Sequence, residues 1–213
     1  MDLAFIAITL ISLLIVIDVH EFAHAWMANY LGDPTARLSG RLTLNPIAHL
    51  DPVGSLVFIV TALVGFPFGW GKPVPFDPYN LQNPRKDGAL ISLAGPVSNI
   101  IFASLLSLIL RFVPFVGNSL FFGQLIPSMI ALNVALAVFN LIPIHPLDGG
   151  KILTAILPER DARQYDLFLN RYGIILLFLI ILPIFNGQSL VTIVISPIIN
   201  FLLNIFIPGS MMV

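Results

Sequence analysis

An all-α polytopic membrane protein is the fold class this sequence predicts, and three observations predict it. Six apolar segments dominate the chain, charged residues are few, and those few gather in the connections. Hydrophobic residues fill 57% of the 213 positions and charged residues 10%, where a soluble domain carries roughly 25% charged residues. Mean hydropathy is +0.95. The segments cover about 3–31, 53–68, 88–113, 121–144, 172–186 and 189–207. No repeat or low-complexity tract divides them, so a single membrane-embedded domain over 1–213 is expected. The opening "MDLAFIAITL" has no basic n-region and no small-residue cleavage site, and reads as a retained span. Net charge −1 lacks the basic footprint that nucleic acid requires. With no cysteine, neither disulfides nor thiolate metal ligands enter.

The first segment is long enough to cross a bilayer. The second, 53–68, falls below the roughly 20 residues a span needs and contains Gly and Pro. The basic residues suggest how it runs. Arg37, Arg41, Lys72, Arg85, Lys86, Lys151, Arg160, Arg163 and Arg171 lie in three connections, and only Arg111 lies elsewhere. If 53–68 enters the membrane and returns, all three connections share one side, which the positive-inside rule makes cytoplasmic. That reading gives five spans; a crossing second segment gives six. Within the first connection, "ARLSGRLTL" alternates polar and apolar residues around a glycine and predicts a short membrane-associated β-hairpin or edge strand. In the second, the prolines of "KPVPFDP" impose extended backbone. Either stretch offers an edge to which another extended segment can add as a strand.

The first span carries an anomaly. Residues 3–17 hold no charge, and then Asp18, His20, Glu21 and His24 arrive within seven positions. Ionisable groups at membrane depth are costly and mark functional sites. "HEFAH" fits H-E-x-x-H, which on a helix sets His20 and His24 one turn apart on one face, the spacing for two imidazoles on one zinc ion. Glu21 stands beside them as a general base. His20 lies about 26 Å along the helix from Leu3, so in a hydrocarbon core of about 30 Å it sits near the cytoplasmic edge.

Two histidines leave a catalytic zinc one protein ligand short. "FNLIPIHPLDGG" supplies a candidate in Asp148, beside a helix broken by Pro143 and Pro146 and before a turn allowed by Gly149 and Gly150. Asp148 is either that ligand or the N-cap of a helix over 149–157. With 53–68 re-entrant, Asp148 reaches the same leaflet as His20; with 53–68 spanning, it emerges opposite.

These motifs carry a family resemblance. "HEFAH" and "NLIPIHPLDGG", with "GRLTLNPIAHLDPVGS" and "SLAGPVSN", resemble the site-2 proteases, intramembrane zinc metalloproteases of regulated intramembrane proteolysis. The likeness spans about 15–155 and fits the small subgroup without PDZ or CBS domains. It implies His20, His24 and Asp148 as ligands of one Zn2+ per chain and Glu21 as catalytic base. It also implies a transmembrane segment of another protein as substrate, in a lipid bilayer, with the site near the cytoplasmic side of the cell membrane. Family members commonly carry proline where His145 stands, which leaves His145 as a donor to a ligand, a gate, a competing ligand or an interfacial residue. Asn140 is expected to hold substrate backbone or a ligand. His49 either bonds the substrate or orders its own loop, and Asn99 joins helices through hydrogen bonds, with Gly95 permitting close approach. The alternative function is a membrane zinc transporter built on the same H-E-x-x-H helix, which would line both leaflets with polar residues.

Overall fold

The computed structural model describes residues 3–63, 69–183 and 187–207. α1 (Leu3–Tyr30) is one helix of 28 residues. Its buried positions include Ile8, Ser12, Val16, His20, His24 and Ala28, four residues apart. One ridge of the helix therefore faces the bundle, and it passes from apolar side chains to imidazoles without changing face.

α2 (Thr35–Leu38) and α3 (Pro46–His49) are single turns, followed by α4 (Pro52–Leu63) and a 3-10 turn over Pro78–Asn80. α5 (Pro84–Phe112) is the central long helix, and a short α6 (Pro114–Asn118) leads to α7 (Phe122–Asn140). α8 (Asp148–Ile156), α9 (Glu159–Ile181) and α10 (Leu190–Phe206) complete the chain. α3, α4, α5 and α6 each begin on proline, whose fixed φ suits a first turn and whose missing N–H has no partner to lose there. α5 packs against α1, α7 and α8. Its buried row Ser92, Gly95, Asn99, Ala103, Leu106 and Leu110 has the three-to-four spacing of a helix face. The main apolar core joins Ile8 of α1, Ala103, Leu106 and Leu110 of α5, and Met129, Ile130 and Val134 of α7.

Four helices are long and apolar enough to cross a membrane: Ile6–Tyr30, Pro84–Phe112, Phe122–Asn140 and Glu159–Ile181. This corrects the expected five or six, because α4 has 12 residues and α10 has 17. α9 starts at Glu159, well before the expected 172, because its charged first half continues the helix out of the apolar stretch.

The expected β-hairpin is not formed. Residues 35–38 make a helical turn that buries Ala36, and Gly40 turns the chain at φ +70°. Arg41 N–H then bonds Ala36 O at 2.8 Å, and its guanidinium donates to the carbonyls of Lys72 and Pro73. Local helical bonds and one long-range arginine satisfy groups that a strand would have paired. Among the described residues there is no strand, only an isolated antiparallel bridge between Leu50 and Gly71. Of the segment expected to re-enter, 52–63 is helical and 64–68 lies outside the described residues; the bridge sets its two flanks side by side.

Candidate metal centre

The site is assembled where α1, α5 and α8 meet below the end of α7. α8 is brought in by close packing at its first turn. A Cβ on Gly149 would collide with the carbonyl oxygens of Leu141 and Ile142, so only glycine lets α8 sit this near the end of α7. Asp148 is the first residue of the helix, Leu147 occupies the cap position, and no side-chain cap bond forms there. The Asp148 carboxylate instead turns toward α1.

Its Oδ2 lies 3.3 Å from His20 Nε2 and 3.3 Å from His24 Nε2, and the two Nε2 atoms are 3.0 Å apart. The other ring nitrogens decide what this triangle is. His24 Nδ1 faces the carbonyl of Ile91 at 2.7 Å, and His20 Nδ1 faces Asn99 Oδ1 at 2.5 Å. Asn99 is held in that orientation because its Nδ2 donates to Asn133 Oδ1 at 2.8 Å and to Val16 O at 3.3 Å. Asn133 Nδ2 in turn donates to Met129 O at 2.8 Å. Both Nδ1 atoms therefore carry a proton, and in the neutral rings two Nε2 lone pairs converge on a buried carboxylate oxygen. Such an array is repulsive unless a cation sits within it. A tetrahedral ion with bonds of about 2.0–2.1 Å needs donors about 3.3 Å apart, and these three nitrogen and oxygen atoms meet that spacing. His20, His24 and Asp148 are the one His, Asp and Glu group among the described residues able to hold a metal ion.

Gly95 of α5 lies against both rings. A Cβ there would stand 2.5 Å from His24 Nε2 and 2.6 Å from His20 Cε1. The small residue expected to bring helices together brings α5 onto the two imidazoles.

Glu21, half-buried on α1, accepts the Val74 N–H on Oε2 at 3.2 Å. Val74 stands between Pro73 and Pro75, so this is the single N–H of three consecutive residues. Arg41 holds the same strap through the Lys72 and Pro73 carbonyls. Burial lowers the Arg41 guanidinium, with the Glu21 charge working against it.

His20, Glu21, His24, Asn140, Asp148 and Lys151 line one cavity of about 350 Å³. Asn140 ends α7 and donates to its own helix at Leu136 O. His49 and His145 stand apart from this cavity. His49 is buried at the end of α3, with Nε2 2.9 Å from Thr43 O and 3.4 Å from Asp18 Oδ1, beside a separate apolar cavity of about 190 Å³. His145 Nε2 lies 3.1 Å from Asp166 Oδ1 on α9, and Gly150 and Gly173 pack against it. Sequence reasoning passed over Asn133 and the contacts of Lys151. It read Asn99 as a helix joiner; the observed bond reaches His20 of the candidate metal group as well.

A helical membrane protein with a His-His-Asp cluster and an adjacent glutamate defines a class, the metallopeptidases built into membrane helices. Comparison with known proteins narrows it: residues 118–182 match the family described as Peptidase family M50. A Bacillus subtilis protein named "Putative zinc metalloprotease YwhC" is 38% identical over 181 residues, 82% of this chain and 80% of its own. "Putative zinc metalloprotease Rip2" of Mycobacterium tuberculosis strain H37Rv is 31% identical over 184 residues, 82% of this chain and 66% of its own. "Zinc metalloprotease MJ0392" of Methanocaldococcus jannaschii is 25% identical over 156 residues, 73% of this chain and 36% of its own. No solved structure matches. The chain belongs to peptidase family M50 and is a metalloprotease, as the resemblance to the site-2 proteases implied.

Proposed function

We propose that this chain hydrolyses peptide bonds within transmembrane segments of membrane proteins, with one zinc ion held by His20, His24 and Asp148. The convergence of two Nε2 atoms on the Asp148 carboxylate carries this reading. Bound zinc supplies a Lewis acid that polarises a carbonyl oxygen and acidifies water. Glu21 takes a proton from the attacking water as its oxygen bonds to the carbonyl carbon. It delivers a proton to the nitrogen as the C–N bond breaks, which leaves a carboxylic acid and an amine. The Val74 N–H fixes the direction of the Glu21 carboxylate, and Asn140, on the same cavity wall, is available to hold substrate backbone.

Leu50 and Gly71 stand side by side in an antiparallel bridge, and the reading takes both flanks of the second segment to lie at one membrane face. The basic connections then lie on the cytoplasmic side of the cell membrane, with the site near that face. A zinc transporter requires polar groups continuing to the far face. Beyond His20, the α1 ridge runs through Val16 and Ser12 to Ile8 in the apolar core, which favours the peptidase.

The test incubates purified, zinc-loaded protein with a panel of transmembrane peptides and reads the products by mass spectrometry. Cleavage by the wild type, absent in Glu21→Gln, is expected. Zinc transport in vesicles without cleavage of any peptide would overturn the reading.

A further inference from the structure

Lys151 is one turn beyond Asp148 on α8 and lines the same cavity as His20, Glu21 and His24. Residues three apart on a helix share a face, so the carboxylate and the ammonium are presented together. Glu21 lines this cavity from another helix, α1. Among the described residues the Lys151 ammonium makes no hydrogen bond and no ion pair; its contact is the ring of Phe76, 4.4 Å from the centroid. Phe76 is itself anchored, packed against the cluster of Ala28, Leu81 and Ile91.

Lys151 is exposed overall, yet its ammonium rests over the Phe76 ring instead of pairing with a carboxylate, as a lysine kept for structure would. Here a cation with three donors is steered by a fixed aromatic face into a cavity whose other walls include Ile17, Leu136 and Phe139. Such placement suits charge that appears only during reaction. Donors aimed in advance at developing negative charge need no reorganisation as that charge forms, and a ring face holds a cation without neutralising it.

We infer that Lys151 is a catalytic residue, whose ammonium donates a hydrogen bond to the carbonyl oxygen of the scissile peptide as negative charge builds there. Glu21 and Lys151 then act from two different helices, the base on the incoming water and the cation on the carbonyl oxygen. The step asks of Lys151 a hydrogen bond and no transfer of its proton. This inference rests on the peptidase reading of the site.

The experiment measures kcat and KM of wild type, Lys151→Met, Lys151→Arg and Lys151→Ala on one cleavable transmembrane peptide, with metal content determined for each. Affinity for a phosphinic peptide, which mimics the charged tetrahedral state, is compared with affinity for the intact amide peptide in a Glu21→Gln background. Lys151→Met should lower kcat on the order of 100-fold with KM and metal content unchanged. It should weaken the phosphinic peptide by a similar factor while leaving the amide peptide bound as before. Lys151→Arg should recover most of the rate, and methylammonium should partly rescue Lys151→Ala. A kcat in Lys151→Met within about twofold of wild type, or equal weakening of both peptides, would overturn the inference. If Lys151→Met loses metal or does not fold, the rescue decides, and no response of Lys151→Ala to methylammonium is then the overturning result. A wild type that cuts no peptide removes the peptidase reading and this inference with it.

Discussion

Asn99 in the middle of α5 accepts the Nδ1 proton of His20 on α1 at 2.5 Å, and Asn133 on α7 holds Asn99 in place at 2.8 Å. Three helices are thereby tied to one imidazole, and all three side chains are buried. The bond selects the tautomer that bares Nε2. Partners of this kind orient a ligand and raise its basicity, and their loss commonly costs 10–100-fold in metal affinity.

Asn99→Leu should therefore weaken zinc binding by roughly 10–100-fold in competition with a chelator of known affinity. Asn133→Leu should have the smaller effect, since Asn99 keeps its bond to Val16 O. Unchanged affinity in Asn99→Leu would show that packing alone orients His20.

Glu21 and Asp148 should separate by metal analysis. Glu21 is engaged by Val74 N–H and stands outside the His20–His24–Asp148 triangle, so Glu21→Gln should keep one zinc per chain and lose hydrolysis. Asp148→Ala removes a corner of the triangle and should lose both. Full zinc occupancy in Asp148→Ala would strike Asp148 from the ligand set.

Gly95→Ala places a methyl group 2.5 Å from His24 Nε2. Alanine is the better helix former by about 1 kcal/mol, so helix content should hold while the rings are displaced. Zinc affinity should fall at least about tenfold, comparable to losing a ligand's supporting bond. A variant that binds zinc normally would mean that the imidazoles move aside at no cost.

Much of this site could be read from the sequence because its first part is local. His20, Glu21 and His24 are on one helix, and helical geometry alone sets their spacing. Asp148 needed a long-range placement, which its Gly-Gly neighbours hinted at but could not direct. Lys151 was counted as a charge that sets topology, since a sequence gives its sign and not the Phe76 ring that aims it. The hairpin reading of 36–44 failed for a physical reason: two-residue alternation predicts a strand only where a partner strand exists. Here Arg41 reaches 31 residues ahead to the strap instead. His145 was recognised as unusual, but its Asp166 partner is on another helix, 21 positions away.

Asp33 predicts a pH dependence of stability outside the spans. Burial pushes its carboxyl up, but bonds from the Thr35 hydroxyl, the Asn80 amide and the N–H groups of Asp77 and Thr35 outweigh this and hold it below the ordinary value. A carboxylate depressed in the folded state contributes stability above the unfolded-state pKa, about 3.9, and loses it as pH falls through the folded-state value. Asp33→Asn should cost on the order of 1–3 kcal/mol near neutrality, and the gap from wild type should close in acid. Thermal midpoints in detergent against pH measure it; a gap independent of pH would assign the loss to shape rather than charge.

The path of residues 52–71 decides on which side of the membrane the site opens, and the absence of cysteine allows a direct test. Lys72 N–H bonds His49 O at 2.8 Å next to the Leu50–Gly71 bridge, so the chain returns to where it left. If that excursion regains the membrane face it started from, single cysteines at Ile47 and Tyr79, both well exposed, must be labelled from the same side. Asn118 follows the full length of α5 and must be labelled from the other. The His20–Asp148 meeting adds a constraint, because α1 and α8 can supply one site only if their relevant ends share a leaflet. Membrane-impermeant thiol reagents on sealed vesicles of known orientation provide the measurement. Labelling of Ile47→Cys and Tyr79→Cys from opposite sides would mean that the second segment crosses, and the cytoplasmic placement of the site would fall with it.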